Sequence, residues 1–113
     1  QLTGEDNNAL EFNKLGGRGC ISVTANVAPK LCSEFQKKSL ERADDTSQER
    51  ANEINNILTP LHKALFIESN PAPVKCAASM LNLSSDEVRL PLVKVTENTK
   101  SAVRNALNIA KLL

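Results

Sequence analysis

Apolar residues recur at helical spacing along most of this chain, and a single stretch reads as a strand. Ala9, Leu10, Phe12 and Leu15 predict a helix over 5–15. Acidic Glu5 and Asp6 fall in its first turn, where they complement the helix dipole, and Gly16-Gly17 closes it. Leu2-Thr3-Gly4 reads as the end of a strand entering a turn, and Cys20-Ile21-Ser22-Val23-Thr24 predicts a strand over 20–24. Pro29 then suits the first turn of a helix reaching about residue 42, with Leu31, Cys32, Phe35 and Leu40 on its apolar face. Asp44, Asp45 and Thr46 offer caps for a longer helix bearing Ala51, Ile54, Ile57, Leu58, Leu61 and Leu65, which Pro60 is expected to kink. After a turn at 68–73, Pro73 starts a short helix carrying Val74, Ala77, Ala78 and Leu81, with Asn82 as its exit. Residues 84–96, with Pro91 inside, read as irregular, and Thr96 caps a last helix bearing Val103, Ala106, Leu107 and Ala110.

That order is a strand end, a helix, a strand and a helix, then three more helices. It suits the tail of a β/α barrel followed by a helical appendix, with residues 1–42 as the barrel end and 43–113 as a helical domain. A complete barrel takes about 250 residues, so at most its last two units are present. The expected fold is mostly α with one short strand, drawn from an α/β parent. A strand alone leaves backbone donors and acceptors unpaired, so this sequence lacks its own sheet partners.

Composition narrows the function classes. With 41% apolar and 24% charged residues the chain is an ordinary globular one. A formal net charge of +1 gives no electrostatic reason to expect nucleic acid or an anionic membrane as partner. The apolar runs, such as Ala64-Leu65-Phe66-Ile67, are too short to cross a bilayer, and no signal peptide opens the chain. Cys20, Cys32 and Cys76 are odd in number and widely spaced, which argues against a disulfide framework or a zinc site and for a reducing cytoplasm.

Several residues invite a chemical reading, and each has a plainer one that is favoured. Gly16-Gly17-Arg18-Gly19 follows a helix and leads into a strand, the reverse of a phosphate cradle, so it is read as a turn with Arg18 solvated. His62, the sole histidine, has no carboxylate or cysteine at ligand spacing and is read as structural or surface. The cysteines are read as small buried hydrophobes. Ser22 and Thr24 are expected to have no histidine base placed to activate them and are assigned to packing or hydrogen bonding, while Glu5-Asp6 is explained by capping and the dipole.

The segments Leu2-Thr3-Gly4-Glu5-Asp6 and Gly16-Gly17-Arg18-Gly19-Cys20-Ile21-Ser22-Val23-Thr24-Ala25-Asn26-Val27-Ala28-Pro29 closely resemble the seventh and eighth units of the dihydrodipicolinate synthases. Leu58-Thr59-Pro60-Leu61-His62, Asn70-Pro71-Ala72-Pro73-Val74-Lys75 and Arg89-Leu90-Pro91-Leu92 resemble the same family's C-terminal helices, and Leu112-Leu113 its terminus. The resemblance implies a (β/α)8 TIM barrel in the pyruvate-dependent class I aldolase and N-acetylneuraminate lyase superfamily. It also implies a lyase of lysine and diaminopimelate biosynthesis that needs no cofactor and condenses pyruvate with aspartate semialdehyde through a Schiff-base lysine on the sixth strand. That lysine, the proton-shuttling tyrosine, the arginine that grips the second substrate and the lysine feedback site are expected upstream of Gln1. None of Lys14, Lys30, Lys37, Lys38, Lys63, Lys75, Lys94, Lys100 and Lys111 follows a suitable strand motif, and the chain has no tyrosine. No catalytic residue and no metal ligand is therefore assigned. Gly4 matches a glycine lining the ligand at the end of the seventh strand, and Ile21 matches an eighth-strand residue whose backbone contacts pyruvate. In tetrameric members, positions matching Glu11, Lys14 and Leu15 join the contact between dimers, so a homo-oligomer, tetramer or dimer, is expected. The competing reading is a non-catalytic helical fragment or self-associating module.

Overall fold

The computed structural model describes all residues from Gln1 to Leu113 and contains five α-helices: α1 (Ala9–Lys14), α2 (Pro29–Leu40), α3 (Asp45–Ala64), α4 (Ala72–Met80) and α5 (Glu97–Ile109). Short 3-10 turns at Asp6–Asn8 and Thr24–Asn26 precede α1 and α2. Where capping chemistry is explicit, the ends fall as the sequence reads. The Asp44 carboxylate accepts from the Thr46 and Ser47 amides at 3.0 and 3.4 Å, opening α3. The Thr96 hydroxyl accepts from the Thr99 amide at 3.3 Å, opening α5. Asn82, at φ +59°, takes the left-handed position after α4, and the Leu83 amide closes back on the Ala78 carbonyl at 2.9 Å. Helix α3 runs without a break through Pro60, and the Thr59 hydroxyl donates to the Asn55 carbonyl one turn earlier at 2.6 Å.

The apolar faces converge on one core. Ile54, Leu58, Leu61 and Leu65 of α3 and its end meet Val103 and Leu107 of α5, all fully buried, with Phe35 and Cys32 of α2 and Val74 and Ala77 of α4 packed around them. Ala9 of α1 joins the same cluster.

Two expectations fail. The helix over 5–15 is shorter: its first turn is 3-10, and α1 proper begins at Ala9. The strand over 20–24 does not form, because only the isolated parallel bridge between Thr3 and Cys20 pairs. Three backbone bonds make up the pairing: Arg18 N to Gln1 O at 3.0 Å, Thr3 N to Gly19 O at 3.0 Å and Ile21 N to Thr3 O at 2.9 Å. Beyond Ile21 the chain bends, and the Val23 and Thr24 amides turn to a side chain for their acceptor. With one neighbour instead of two, the segment has no ladder to extend, and a local carboxylate wins its donors.

The glycine turn after α1 is a steric requirement. Gly16 lies at φ +106°, and a Cβ on Gly17 would sit 2.1 Å from Cδ1 of Phe12 and 2.7 Å from the Phe12 carbonyl oxygen. The Gly17 amide donates to that carbonyl at 2.8 Å. The Arg42 guanidinium then reaches back to the Asn13 carbonyl at 2.6 Å and to the Gly17 carbonyl, closing the end of α1 from a residue just past α2. Arg18 is exposed, as expected of a solvated group.

Candidate functional site

The two positions expected to line a ligand lie side by side. Gly4 directly follows Thr3 and Ile21 directly follows Cys20, the two bridged residues, so both sit at the exit of the paired segments. Ile21 is 71% exposed, and a Cβ at Gly4 would meet nothing within 4 Å. The chain's own packing thus demands neither the glycine at 4 nor the burial of Ile21, and the face they share is open.

Behind that face lies a buried polar network that the sequence did not disclose. Asp6, only 6% exposed, accepts from the Ser22 hydroxyl at 2.5 Å through Oδ1, and from the Val23 and Thr24 amides at 2.9 and 3.2 Å through Oδ2. The Cys20 thiol approaches the same Oδ1 at 3.8 Å. The Ser22 hydroxyl in turn accepts from the Ala25 amide at 2.9 Å. Thr24, fully buried, places its hydroxyl 2.7 Å from Nδ1 of His62 on α3, which corrects the expectation that no histidine stands beside it, while hydrogen bonding remains its role. Asp6 therefore does not act as a cap for its own helix, as its place in a first turn suggested. It organises the turn that follows Ile21, while Glu5 is exposed and makes no capping bond with its side chain.

His62 is 4% exposed, so of the two roles open to it the surface one is excluded. Burial pushes its pKa below the ordinary 6.5, against the weaker opposite pull of the Asp6 charge, and favours the neutral ring. Burial, reinforced by the Asp6 carboxylate, raises the Cys20 thiol to about 12, and the same two causes raise Cys32 to about 11. These are thiols held protonated, unsuited to nucleophilic work. Cys32 and Cys76 are buried as expected, whereas Cys20, expected to be buried within a strand, is only partly so. Asp6, Cys20, Ser22, Cys32, Gln36 and His62 together border a half-open cavity of about 230 Å³ between α1, α2 and α3. No group of three or more His, Cys, Asp or Glu is placed to hold a metal ion.

None of the lysines is buried, and none lies on the segments joined by the Thr3–Cys20 bridge. Glu11, Lys14 and Leu15 are exposed together at the end of α1, Leu15 to 80%. No helix is long and apolar enough to cross a membrane.

Proteins similar to this chain include 4-hydroxy-tetrahydrodipicolinate synthases. The 4-hydroxy-tetrahydrodipicolinate synthase of Pelagibacter ubique (strain HTCC1062) is 60% identical over 113 residues, and that of Parvibaculum lavamentivorans is 53% identical over the same span. Each alignment takes in 100% of this chain and 38% of the relative, so the chain spans well under half the length of the curated proteins it matches. Among solved structures, a chloride-inhibited dihydrodipicolinate synthase from Acinetobacter baumannii, complexed with pyruvate, superposes with a TM-score of 0.90 at 40% identity. The superposition covers 99% of this chain and 37% of that one. The sequence profile described as the Dihydrodipicolinate synthetase family matches residues 1–110. A match over nearly every residue, with the fold reproduced at the same positions, places the chain in that family: it belongs to the dihydrodipicolinate synthetases.

Proposed function

We propose that these residues form a wall and rim of a 4-hydroxy-tetrahydrodipicolinate synthase, a cytoplasmic enzyme condensing pyruvate with aspartate semialdehyde. Residues 1–42 are the closing units of its (β/α)8 barrel, and residues 43–113 are the helical domain behind them. The observation that carries this reading is the juxtaposition of Gly4 and Ile21 at the exit of two parallel-paired segments, since barrel enzymes build their sites at that end of the strands. An open backbone at Gly4 and a free Ile21 carbonyl edge suit a small keto acid lying against them. The Schiff-base lysine is read as lying upstream of these residues, since no lysine here lies on or follows the paired segments in the manner of a strand-borne nucleophile. The isolated chain is then a folded, inactive helical body with a core of its own. Glu11, Lys14 and Leu15 form part of a contact between copies in a dimer or tetramer, where the exposed Leu15 is covered.

A graft tests the reading. The matching segment of the Pelagibacter ubique synthase is replaced by this chain, and turnover of pyruvate with aspartate semialdehyde is followed. The chimera is expected to turn over both substrates, and borohydride is expected to trap pyruvate on the chimera but not on the 113-residue chain. An inactive, folded chimera, or a trapped adduct on the isolated chain, overturns the assignment.

A further inference from the structure

We propose that Thr24 and His62 are positioning residues: helix α3 holds, through the His62 Nδ1 to Thr24 Oγ1 hydrogen bond, the turn that fixes the Ile21 backbone at the ligand-facing edge. The proposal rests on the pyruvate-lining reading of Ile21 given above, and adds to it a means of control from the helical half of the chain.

Backbone anchoring around Ile21 is sparse. On its upstream side, the Ile21 amide is held by the Thr3 carbonyl at 2.9 Å, and no further ladder bond follows. On its downstream side, the next backbone donors fixed are the Val23 and Thr24 amides on the Asp6 carboxylate. Thr24 is the one residue of this turn gripped at two points by different elements, its amide by Asp6 before α1 and its hydroxyl by His62 in α3. Both Thr24 and His62 are buried, at 0% and 4% exposure, so a lost partner leaves a buried polar group at Thr24 that is costly to leave unpaired. His62 lies between Leu61, fully buried in the main core, and Lys63, so the imidazole is carried by a helix whose own position is set by core packing. A shift of α3 is thus transmitted to Thr24, three residues from Ile21. The neutral ring favoured by burial suits this role, because its Nδ1 can pair with the Thr24 hydroxyl in either tautomer, as acceptor or as donor.

The test uses the same chimera with Thr24→Val, Thr24→Ser and His62→Leu. Val has nearly the shape of Thr and removes only the hydroxyl bond, while Ser keeps the hydroxyl. In a chimera active with the unaltered segment, Thr24→Val and His62→Leu are expected to raise KM for pyruvate about five- to tenfold, the scale of one hydrogen bond, with a smaller change in kcat. Thr24→Ser restores KM to within about twofold of the unaltered value. A purely structural contact would lower Tm and leave KM unmoved well below it. Amide exchange at Val23 and Thr24 in these chimeras reads the positioning without any turnover. Both variants should speed exchange there about tenfold and leave the α5 amides unchanged. Should Thr24→Val not fold, His62→Asn, whose side-chain amide reaches the Nδ1 position, should retain the protection that His62→Leu loses. Unchanged KM in an active chimera, or unchanged exchange at Val23 and Thr24, overturns the proposal. Failure of the unaltered chimera to turn over counts against the function proposed above, and the exchange result still decides this one.

Discussion

Replacing Asp6 separates the network from the helices around it. The carboxylate is 6% exposed and serves two backbone amides through Oδ2 and the Ser22 hydroxyl through Oδ1. In Asp6→Ala the Val23 and Thr24 amides and the Ser22 hydroxyl all lose their acceptor. A buried donor left unsatisfied costs about 1–3 kcal/mol, and bonds to a charged acceptor lie toward the upper end. Partial opening of the half-exposed Val23 lets water recover some of this, so a loss of about 3–5 kcal/mol is expected. Against a total stability of about 5–15 kcal/mol for a small domain, that is a large share.

Asp6→Asn is expected to be much milder, for a reason written into the geometry. The two amides facing Oδ2 can only donate, so the Asn carbonyl must take that side and its NH2 must face Ser22. The Ser22 oxygen already accepts from the Ala25 amide and has a second lone pair free for the new donor. The Ser22 proton and the weak Cys20 thiol donor alone lose their place, and the cost is about 1–2 kcal/mol. Urea unfolding of the 113-residue chain, followed by far-ultraviolet circular dichroism, measures both. If Ala costs no more than about 1 kcal/mol, or if Asn costs as much as Ala, Asp6 is not the organising acceptor described here.

Three further outcomes are expected. His62 has a folded pKa below its unfolded 6.5, so the unfolded chain takes up its proton first; the contribution to stability is whole above pH 6.5 and drains away as pH falls toward the folded value. The urea midpoint should therefore drop between about pH 7.5 and about pH 5.5, and His62→Leu, which removes the sole histidine, should flatten that slope; an unaltered slope would refute the assignment. Gly17→Ala places a Cβ 2.7 Å from the Phe12 carbonyl, which, unlike the Phe12 ring, cannot swing aside, and should cost about 1–3 kcal/mol, seen as a lower Tm. Cys20 and Cys32, raised to about 12 and about 11, should resist iodoacetamide near neutral pH in the folded chain and react readily in urea; labelling at equal rates in both states would contradict the protonated thiols described.

The helices were legible because their signals are local. Asp44 and Thr96 cap where cap chemistry predicts, and the buried stripe Ala51, Ile54, Leu58, Leu61 and Leu65 keeps the helical period that marks α3 in the sequence. The strand misled because Cys20 to Thr24 has the composition of a strand, while forming one depends on neighbours that a local pattern does not encode. Glu5 and Asp6 are adjacent acids, equivalent to any rule based on first-turn position. What distinguishes them is the approach of Ser22, Val23 and Thr24 from sixteen to eighteen residues away, a tertiary fact. The Thr24–His62 pair, thirty-eight residues apart, carries no sequence signal of its own.

The failed strand and the buried aspartate have one cause. A segment of strand composition whose pairing stops at Ile21 must dispose of the next amides in some other way, and in the interior an unpaired amide is costly. A carboxylate suits that task because one oxygen can take two amides and the other a hydroxyl, ending the strand and starting the Thr24–Asn26 turn at once. The termination also leaves Ile21, whose amide donates to the Thr3 carbonyl, as the last bonded residue of the pairing, with its side chain free on the open face. Were the pairing to run on to Thr24, the Val23 amide would turn to the ladder while the Thr24 amide pointed to the opposite edge, Asp6 would lose its Val23 partner, and Thr24 would be drawn away from His62. The exposure of Ile21 and the burial of Asp6 are two consequences of the same point of termination, so a variant that releases one should disturb the other.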